Sequence, residues 1–179
     1  MINMLRLRQD DARWSKVRIG KSGTTLAQSG CLLTSLCILY SKFYRANYIF
    51  PDMLARGLAF TSSGDLIWKA SDQHGIQLLK QYGMEFIKRE YNYFPNRDNP
   101  VIKFYSNSPD YAIALEVRTK NGRRHWLACA GKSVLGFACI DPFTSKFEWK
   151  TVGVGAPYSY VTGYAIMKKY SGDIAKFNG

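Results

Sequence analysis

The apolar residues of this chain change their spacing at about residue 80. Over residues 29–43 they recur at every third or fourth position, which predicts a helix packed on one side. A second helix is predicted over residues 51–58, because its first residue, Pro51, suits the first helical position. A third is predicted over residues 66–74, with residues 62–65 as its cap and Gly75 as its end.

After residue 80 the apolar residues fall in short continuous or alternating runs, separated by Pro, Gly and Asn. Runs of this kind are typical of β-strands. Residues 95–100 contain two prolines and are predicted to form a loop. The predicted strands are residues 84–87, 100–105, 111–117, 125–130, 135–140, 147–152 and 164–167.

Helices followed by strands, with no repeat or low-complexity linker, predict one α+β domain over residues 1–179 with an antiparallel sheet. Residues 1–28 form its N-terminal arm, residues 29–80 its helical part and residues 81–179 its strand-rich part. A chain of 179 residues that is 46% apolar is long enough to bury a core of its own.

Cysteine and histidine are too few to suggest a disulfide scaffold or a zinc site. The four cysteines include no CxxC pair, and the chain has only two histidines. We therefore expect free thiols, no metal and no other cofactor.

The N-terminus is basic but lacks the apolar core of a secretory signal, and no later run approaches ~18 apolar residues. These features predict a protein without a transmembrane segment or a cleaved signal, located in the cytoplasm of the producing cell.

The formal net charge of +12 is spread over several clusters of Lys and Arg. Such a surface attracts any polyanion, whether nucleic acid, teichoic acid or an anionic membrane, and it also suits an ordinary solvated surface. No zinc finger, RNA-recognition signature or leucine zipper decides between these interpretations.

Cys31 is the cysteine with the most reactive position. It falls in the first turn of the predicted helix, after Ser29 and Gly30, which both suit an N-cap. The partial positive charge of a helix N-terminus favours the thiolate form. An isolated cysteine is nevertheless more often a small core residue, as we expect for Cys37, which lies about 240° further round the helix.

A thiolate nucleophile needs a general acid for the leaving amine, and histidine suits this role at neutral pH. His74 is predicted to cap a helix C-terminus, whereas His125 opens a strand at the edge of a sheet. His125 is therefore the better candidate.

A hairpin turning through residues 132–134 would pair residue 131 with residue 135 and His125 with Asp141. Opposed side chains on one face have Cβ atoms ~4.5–5.5 Å apart, so the carboxylate would orient the imidazole. A shift of one residue would separate them. In this register Cys129 faces Phe137 and Cys139 lies diagonal to it, so no disulfide is expected.

These residues resemble the papain-like cysteine peptidases of the bacteriocin-leader-peptidase-like group. The matching motifs, in order, are Gln9-x-Asp11-x-Arg13-Trp14, Gly20, Ser29-Gly30-Cys31-Leu32-Leu33-Thr34-Ser35-Leu36, His125-Trp126 and Asp141-Pro142.

The resemblance implies a papain-like fold, in which the helix carrying the nucleophile packs on the C-terminal sheet. It implies that Cys31 is the nucleophile, His125 the acid and base, and Asp141 the residue that orients the histidine. Gln9 would supply an oxyanion donor together with the Cys31 amide, with Gln28 as the alternative donor.

Gly30 and Trp126, which adjoin Cys31 and His125, are the candidate substrate-binding residues. The expected activity is hydrolysis of a peptide bond, or of a peptidoglycan cross-link or stem amide, by a cysteine peptidase. Anionic cell walls suit a basic lytic factor of a phage or bacterium, carried with a virion or released by lysis. The alternative is a catalytically retired papain-like fold that serves as a basic binding or structural module for nucleic acid or a partner protein.

Overall fold

The computed structural model describes residues 4–45, 48–69, 78–133, 136–145, 147–150 and 158–172. Its helices are α1 (Leu26–Ser29), α2 (Cys31–Phe43), α3 (Pro51–Gly57) and α4 (Pro95–Asn107), with a 3₁₀ helix at Leu78–Tyr82. Its strands are β1 (Met84–Glu90), β2 (Tyr111–Thr119), β3 (Arg124–Ser133), β4 (Gly136–Ile140), β5 (Phe147–Lys150) and β6 (Tyr158–Lys169).

The strands form one sheet in the order β1-β6-β2-β3-β4-β5, and each neighbouring pair is antiparallel. Alternate residues of β2 face opposite sides of this sheet. Ala112 and Ala114 belong to the core shared with α2, whereas Ile113 and Leu115 pack in a second core with Ile102 of α4. The sheet is therefore covered by α2 on one face and by α4 on the other, and the predicted α+β arrangement with an antiparallel sheet is confirmed.

Helix α4 replaces the loop predicted at residues 95–100 and the strand predicted at residues 100–105, so both predictions are wrong. Pro95 occupies an N-terminal helical position, and the Asp98 carboxylate accepts a hydrogen bond from the Phe94 amide at 2.7 Å. Asp98 is buried and also accepts a hydrogen bond from Tyr164 of β6. These contacts stabilise a helix despite Pro100 in its interior, whose missing N–H normally disfavours one.

The third predicted helix is also wrong over its first residues. Leu66 forms an isolated β-bridge with Phe60, and residues 67–69 are not helical. The proposed cap is instead a turn, in which the Thr61 amide donates to the Asp65 carbonyl at 2.9 Å. The remainder of that predicted helix, including His74 and Gly75, lies outside the described residues.

In the part of the chain that the structure describes, no helix is both long and apolar enough to cross a membrane.

Candidate active site

Cys31 is the first residue of α2, and Gly30 is the N-cap. Gly30 packs closely on α1, because a Cβ at this position would overlap the carbonyl oxygen of Leu26. Gly30, predicted to bind substrate, is buried and is not among the residues that line the cavity in front of Cys31. Its small size is needed to bring α1 against the start of the helix that carries the cysteine.

The other three cysteines are enclosed in the two cores. Cys37, Cys129 and Cys139 have 0% exposure, whereas Cys31 is half-buried and lines a cavity. Burial raises the pKa of the Cys37 thiol well above its ordinary value, an effect that the nearby Asp52 reinforces. Cys37 is therefore a core residue, as predicted, and Cys31 is the cysteine that lines a cavity.

A side-chain hydrogen bond joins α2, which carries Cys31, to β3, which carries His125. Ser35, one turn after Cys31, donates a buried hydrogen bond from its hydroxyl to the Trp126 carbonyl at 3.2 Å. This contact joins positions 91 residues apart in the sequence. It brings the N-terminus of α2 to the beginning of β3.

His125 Nε2 lies 2.9 Å from Asp141 Oδ1, so the predicted contact is present. The predicted register that led to it is wrong. Ala128 pairs with Ile140, which places position 127 opposite position 141 if the pairing continues. Because the error is two residues, an even number, His125 and Asp141 remain on the same face of the sheet.

The error in register has two sources. The pairing of β3 with β4 extends to Ser133 and Gly136, into the predicted turn, and a bulge between Cys129 and Gly131 shifts it back by one residue. As a result Cys129 faces Cys139, whereas the predicted register pairs it with Phe137. No disulfide joins these two cysteines.

Asp141 is held by the turn that follows β4. Its Oδ1 accepts a second hydrogen bond from the Phe143 amide at 2.8 Å, and its carbonyl accepts one from the Ser145 amide at 2.7 Å. The residue is only 2% exposed. Hydrogen bonds from the backbone therefore hold the carboxylate in place independently of His125.

Gln9 is buried beside this turn. Its side-chain Nε2 donates to the Ala27 carbonyl at 2.9 Å, and its backbone amide donates to the Pro142 carbonyl. The amide nitrogen of its side chain carries a second N–H, available to a ligand in the cavity that Gln9 lines. Its Oε1 is buried without a hydrogen-bond partner among the described residues.

Gln28, the alternative oxyanion donor, lies in α1 and caps the start of that helix. Its Oε1 accepts hydrogen bonds from the amide and the hydroxyl of Thr25 at 2.9 and 3.2 Å, which stabilises the start of α1. Gln28 is exposed at the cavity rim, whereas Gln9 is 5% exposed.

The remainder of the glutamine motif forms a rigid turn after Gln9. Arg13 pairs with Asp11 at 2.9 Å, and its guanidinium stacks over the Trp14 ring at 4.4 Å. The indole of Trp14 is buried and donates to the Arg8 carbonyl at 2.8 Å. These contacts fold the segment back on itself and hold Gln9 in place.

The electrostatics of the site centre on His125. Burial by itself lowers the pKa of His125, but hydrogen bonds and charge interactions with Asp141 and Cys31 raise it to about 9. Because Nε2 is bound to Asp141, Nδ1 is the ring nitrogen left for the Cys31 thiol. The raised pKa keeps the His125 imidazole protonated at neutral pH, the form in which it can act as a general acid.

These side chains share one open cavity of about 810 Å³. Cys31, His125 and Gln9 line it, as does Trp126, the second residue predicted to bind substrate. Several further residues of its wall escaped prediction from the sequence: Trp68, Arg89, Tyr91, Glu116 and Arg124. Arg89 and Arg124 belong to basic clusters of the sequence. They lie on different strands, so their spacing does not indicate that they line the same cavity.

Among the described residues, no group of three or more His, Cys, Asp or Glu side chains is arranged to hold a metal ion.

The sequence matches no model of a known protein family, and it has no significant match among curated proteins.

Proposed function

We propose that this protein is a cysteine peptidase or amide hydrolase of papain-like fold, with Cys31 as its nucleophile. The observation that carries the proposal is the 2.9 Å contact of His125 with the Asp141 carboxylate, in the same cavity wall as Cys31, which lies at a helix N-terminus. A buried histidine between a carboxylate and an accessible thiol is the arrangement that nucleophilic catalysis requires.

In the proposed reaction the Cys31 thiolate attacks the carbonyl carbon of the scissile amide. The His125 imidazolium gives its proton to the amide nitrogen, the C–N bond breaks, and the amine leaves a thioester on Cys31. A water molecule then gives a proton to His125 and attacks the thioester. The carboxylic acid leaves and the thiolate is restored next to an imidazolium.

The negative charge on the carbonyl oxygen needs donors that are already in position. We assign this role to the second N–H of the Gln9 side chain and to the Cys31 amide, which has no partner within the first turn of α2. We choose Gln9 over Gln28 because the Gln9 side chain is buried in the cavity wall, whereas Gln28 is exposed at the cavity rim.

The substrate in this proposal is a peptide or the peptide part of peptidoglycan. A net charge of +12 favours association with an anionic cell wall, met after lysis or from a virion. The same charge would serve a catalytically retired module that binds nucleic acid or a partner protein, and the experiment separates the two.

The test is alkylation by iodoacetamide at about pH 5.5, where an ordinary thiol is almost fully protonated. We expect one carboxamidomethyl group on the wild type, at Cys31, and none on Cys31→Ala, since the other three cysteines are buried. His125→Gln should lose most of the labelling at this pH and regain it at alkaline pH. Equal labelling of wild type and Cys31→Ala would contradict the proposal.

Hydrolysis is measured beside labelling, by zymography on cell walls and with fluorogenic peptides. Release of product by the wild type and not by Cys31→Ala is the expected result. A labelled protein that hydrolyses neither substrate would favour the binding module.

A further inference from the structure

Arg89 stands in the wall of the candidate catalytic cavity, although it is far from Cys31 in the sequence. Its side chain is only 9% exposed and lies on β1, at the point where the cavity of Cys31 meets a second groove of about 540 Å³. Its guanidinium carbon lies 4.5 Å from the ring centres of both Trp126 and Tyr91, and 5.6 Å from that of Trp68. The aromatic rings fix the orientation of the guanidinium plane.

The hydrogen bonds of Arg89 with described residues leave much of its donor capacity unused. Nη2 donates to Oε2 of Glu116, whose other oxygen accepts a hydrogen bond from Thr162 at 2.7 Å. Nε is buried without a partner, and Nη1 has no acceptor among the described residues. Both carboxylate oxygens of Glu116 are occupied, whereas only one of the three guanidinium nitrogens is.

A buried cationic donor without an acceptor is costly, and such groups in native structures generally serve a purpose. Arginine presents parallel N–H groups that match the two oxygens of a carboxylate, and its planar shape permits stacking at the same time. A stacked, largely buried arginine in the wall of a cavity is therefore suited to bind a carboxylate that enters with a ligand.

The charges of the cavity point to an anionic ligand as well. Its basic residues are Arg89, Arg123 and Arg124, and its acidic ones are Asp65 and Glu116. Glu116 is already paired with Arg89, whereas Arg123 and Arg124 form no ion pair within the described residues. The positive charge at the rim would attract the ligand, and Arg89 would select it.

From these observations we propose that Arg89 is a specificity-determining residue that binds a carboxylate of the substrate close to the scissile amide. The proposal rests on the function inferred above and names its substrate class: peptides with a free carboxylate near the cleaved bond. The carboxylate is either that of an aspartyl or glutamyl side chain, or the free α-carboxylate of a glutamyl residue linked through its γ-carboxyl group.

The test compares fluorogenic peptides that differ at one position beside the scissile amide: glutamate, glutamine, or γ-linked glutamate with a free or amidated α-carboxyl group. We expect the wild type to prefer a carboxylate peptide by about 10- to 100-fold in kcat/KM, the range of a charge-assisted hydrogen bond. The form that is preferred identifies the source of the carboxylate.

Two changes remove the preference by different routes. Arg89→Lys keeps the charge but loses the planar fork, so the ratio of kcat/KM for the carboxylate peptide over its amide counterpart should fall about tenfold or more. The double variant Arg89→Gln with Glu116→Gln avoids leaving Glu116 as an unpaired buried charge, and it should abolish the preference. Arg56→Gln, which removes an exposed charge outside the cavity, is the matched control and should keep it.

Binding to Cys31→Ala separates the two proposals. Trp68 and Trp126 flank Arg89, so their fluorescence reports on occupation of the site. Selective binding of carboxylate peptides that depends on Arg89, without hydrolysis by the wild type, would contradict the enzyme and keep the carboxylate site. Hydrolysis without a preference, or with a preference that survives both Arg89 changes, would overturn the role of Arg89 but keep the proposed hydrolase function. Absence of both binding and hydrolysis would overturn both proposals.

Discussion

The backbone amide of Gln9 donates a 2.9 Å hydrogen bond to the carbonyl of Pro142, the residue that follows Asp141. Gln9, on the N-terminal arm, and Asp141, at the end of β4, are therefore positioned by the same turn. In the proposed reaction this turn aligns the oxyanion donor with the residue that orients the histidine, so movement of either segment affects both.

Replacement of Gln9 by alanine should slow the proposed hydrolysis by ~10²–10³, because one preorganised oxyanion donor is lost. The backbone bond to Pro142 does not depend on the side chain, so the turn should persist. The measurement is kcat on a fluorogenic peptide, with labelling of Cys31 by iodoacetamide as a check that the nucleophile remains active. Gln28→Ala is the control, and it should affect the start of α1 without changing kcat by more than a few-fold. A larger loss of rate in Gln28→Ala than in Gln9→Ala would reverse the assignment.

Two adjacent residues of α2 should respond differently to the removal of a hydroxyl group. Ser35→Ala deletes the buried bond to the Trp126 carbonyl and should lower the free energy of unfolding by about 1 kcal/mol. Thr34→Val removes a buried hydroxyl that has no partner among the described residues, so it should be neutral or raise that free energy by about 1 kcal/mol. Urea denaturation of the two variants measures the difference, and equal destabilisation would contradict the role of Ser35.

The raised pKa of His125 should make folding depend on pH. The pKa is about 9 in the folded protein and 6.5 for the ordinary side chain, so the folded state binds the proton more tightly. The contribution of protonated His125 to the free energy of unfolding is complete below about pH 6.5 and is lost as the pH rises through 9. At about 1.4 kcal/mol per pKa unit this amounts to on the order of 3 kcal/mol.

Half-buried Lys42 changes stability in the opposite direction. Desolvation lowers its pKa to about 8, so the cost of keeping it charged in the folded protein falls as the pH rises above that value. The measurement is therefore the free energy of unfolding at pH 6 and pH 9.5 for the wild type and for His125→Gln, in which Lys42 is unchanged. We expect the wild type to lose more stability than the variant over this interval. An identical pH dependence of the two proteins would argue against the raised pKa.

Gly163 of β6 lies close to the backbone at the end of β1, and an alanine there should distort the sheet. An added Cβ would overlap the backbone carbonyl oxygen of Glu90, which cannot move without displacing its neighbour Arg89. Gly163→Ala should cost about 1–3 kcal/mol of stability and weaken the carboxylate preference. Thermal unfolding measures the first effect, and Gly23→Ala is the control, because a Cβ at Gly23 would contact nothing within 4 Å. A Gly163→Ala protein as stable as the control would show that the sheet can yield at this point.

The chain itself predicts those features that depend on neighbours in the sequence. The three- and four-residue spacing of apolar positions predicts α2, and the position of Cys31 at its start follows from the same pattern. Short continuous or alternating apolar runs predict the strands of the sheet, because successive side chains of a strand face its two opposite sides. The chemistry of a side chain is also set by its residue type alone. His125 and Asp141 can therefore be proposed as partners from the sequence, before the structure shows their contact.

Contacts between distant segments decided the rest. Helix α4 forms where the sequence predicted a loop and a strand, because buried Asp98 is held from two sides by Phe94 and Tyr164. The bulge beside Ala130 sets the register of β3 and β4, and no local pattern marks it. Arg89 and Glu116 lie on β1 and β2, which are separated by β6, so only the folded sheet brings them together in the wall of the cavity. The order of strands and the position of a bulge depend on the packing of the whole core, and this packing is not determined by any short stretch of the sequence.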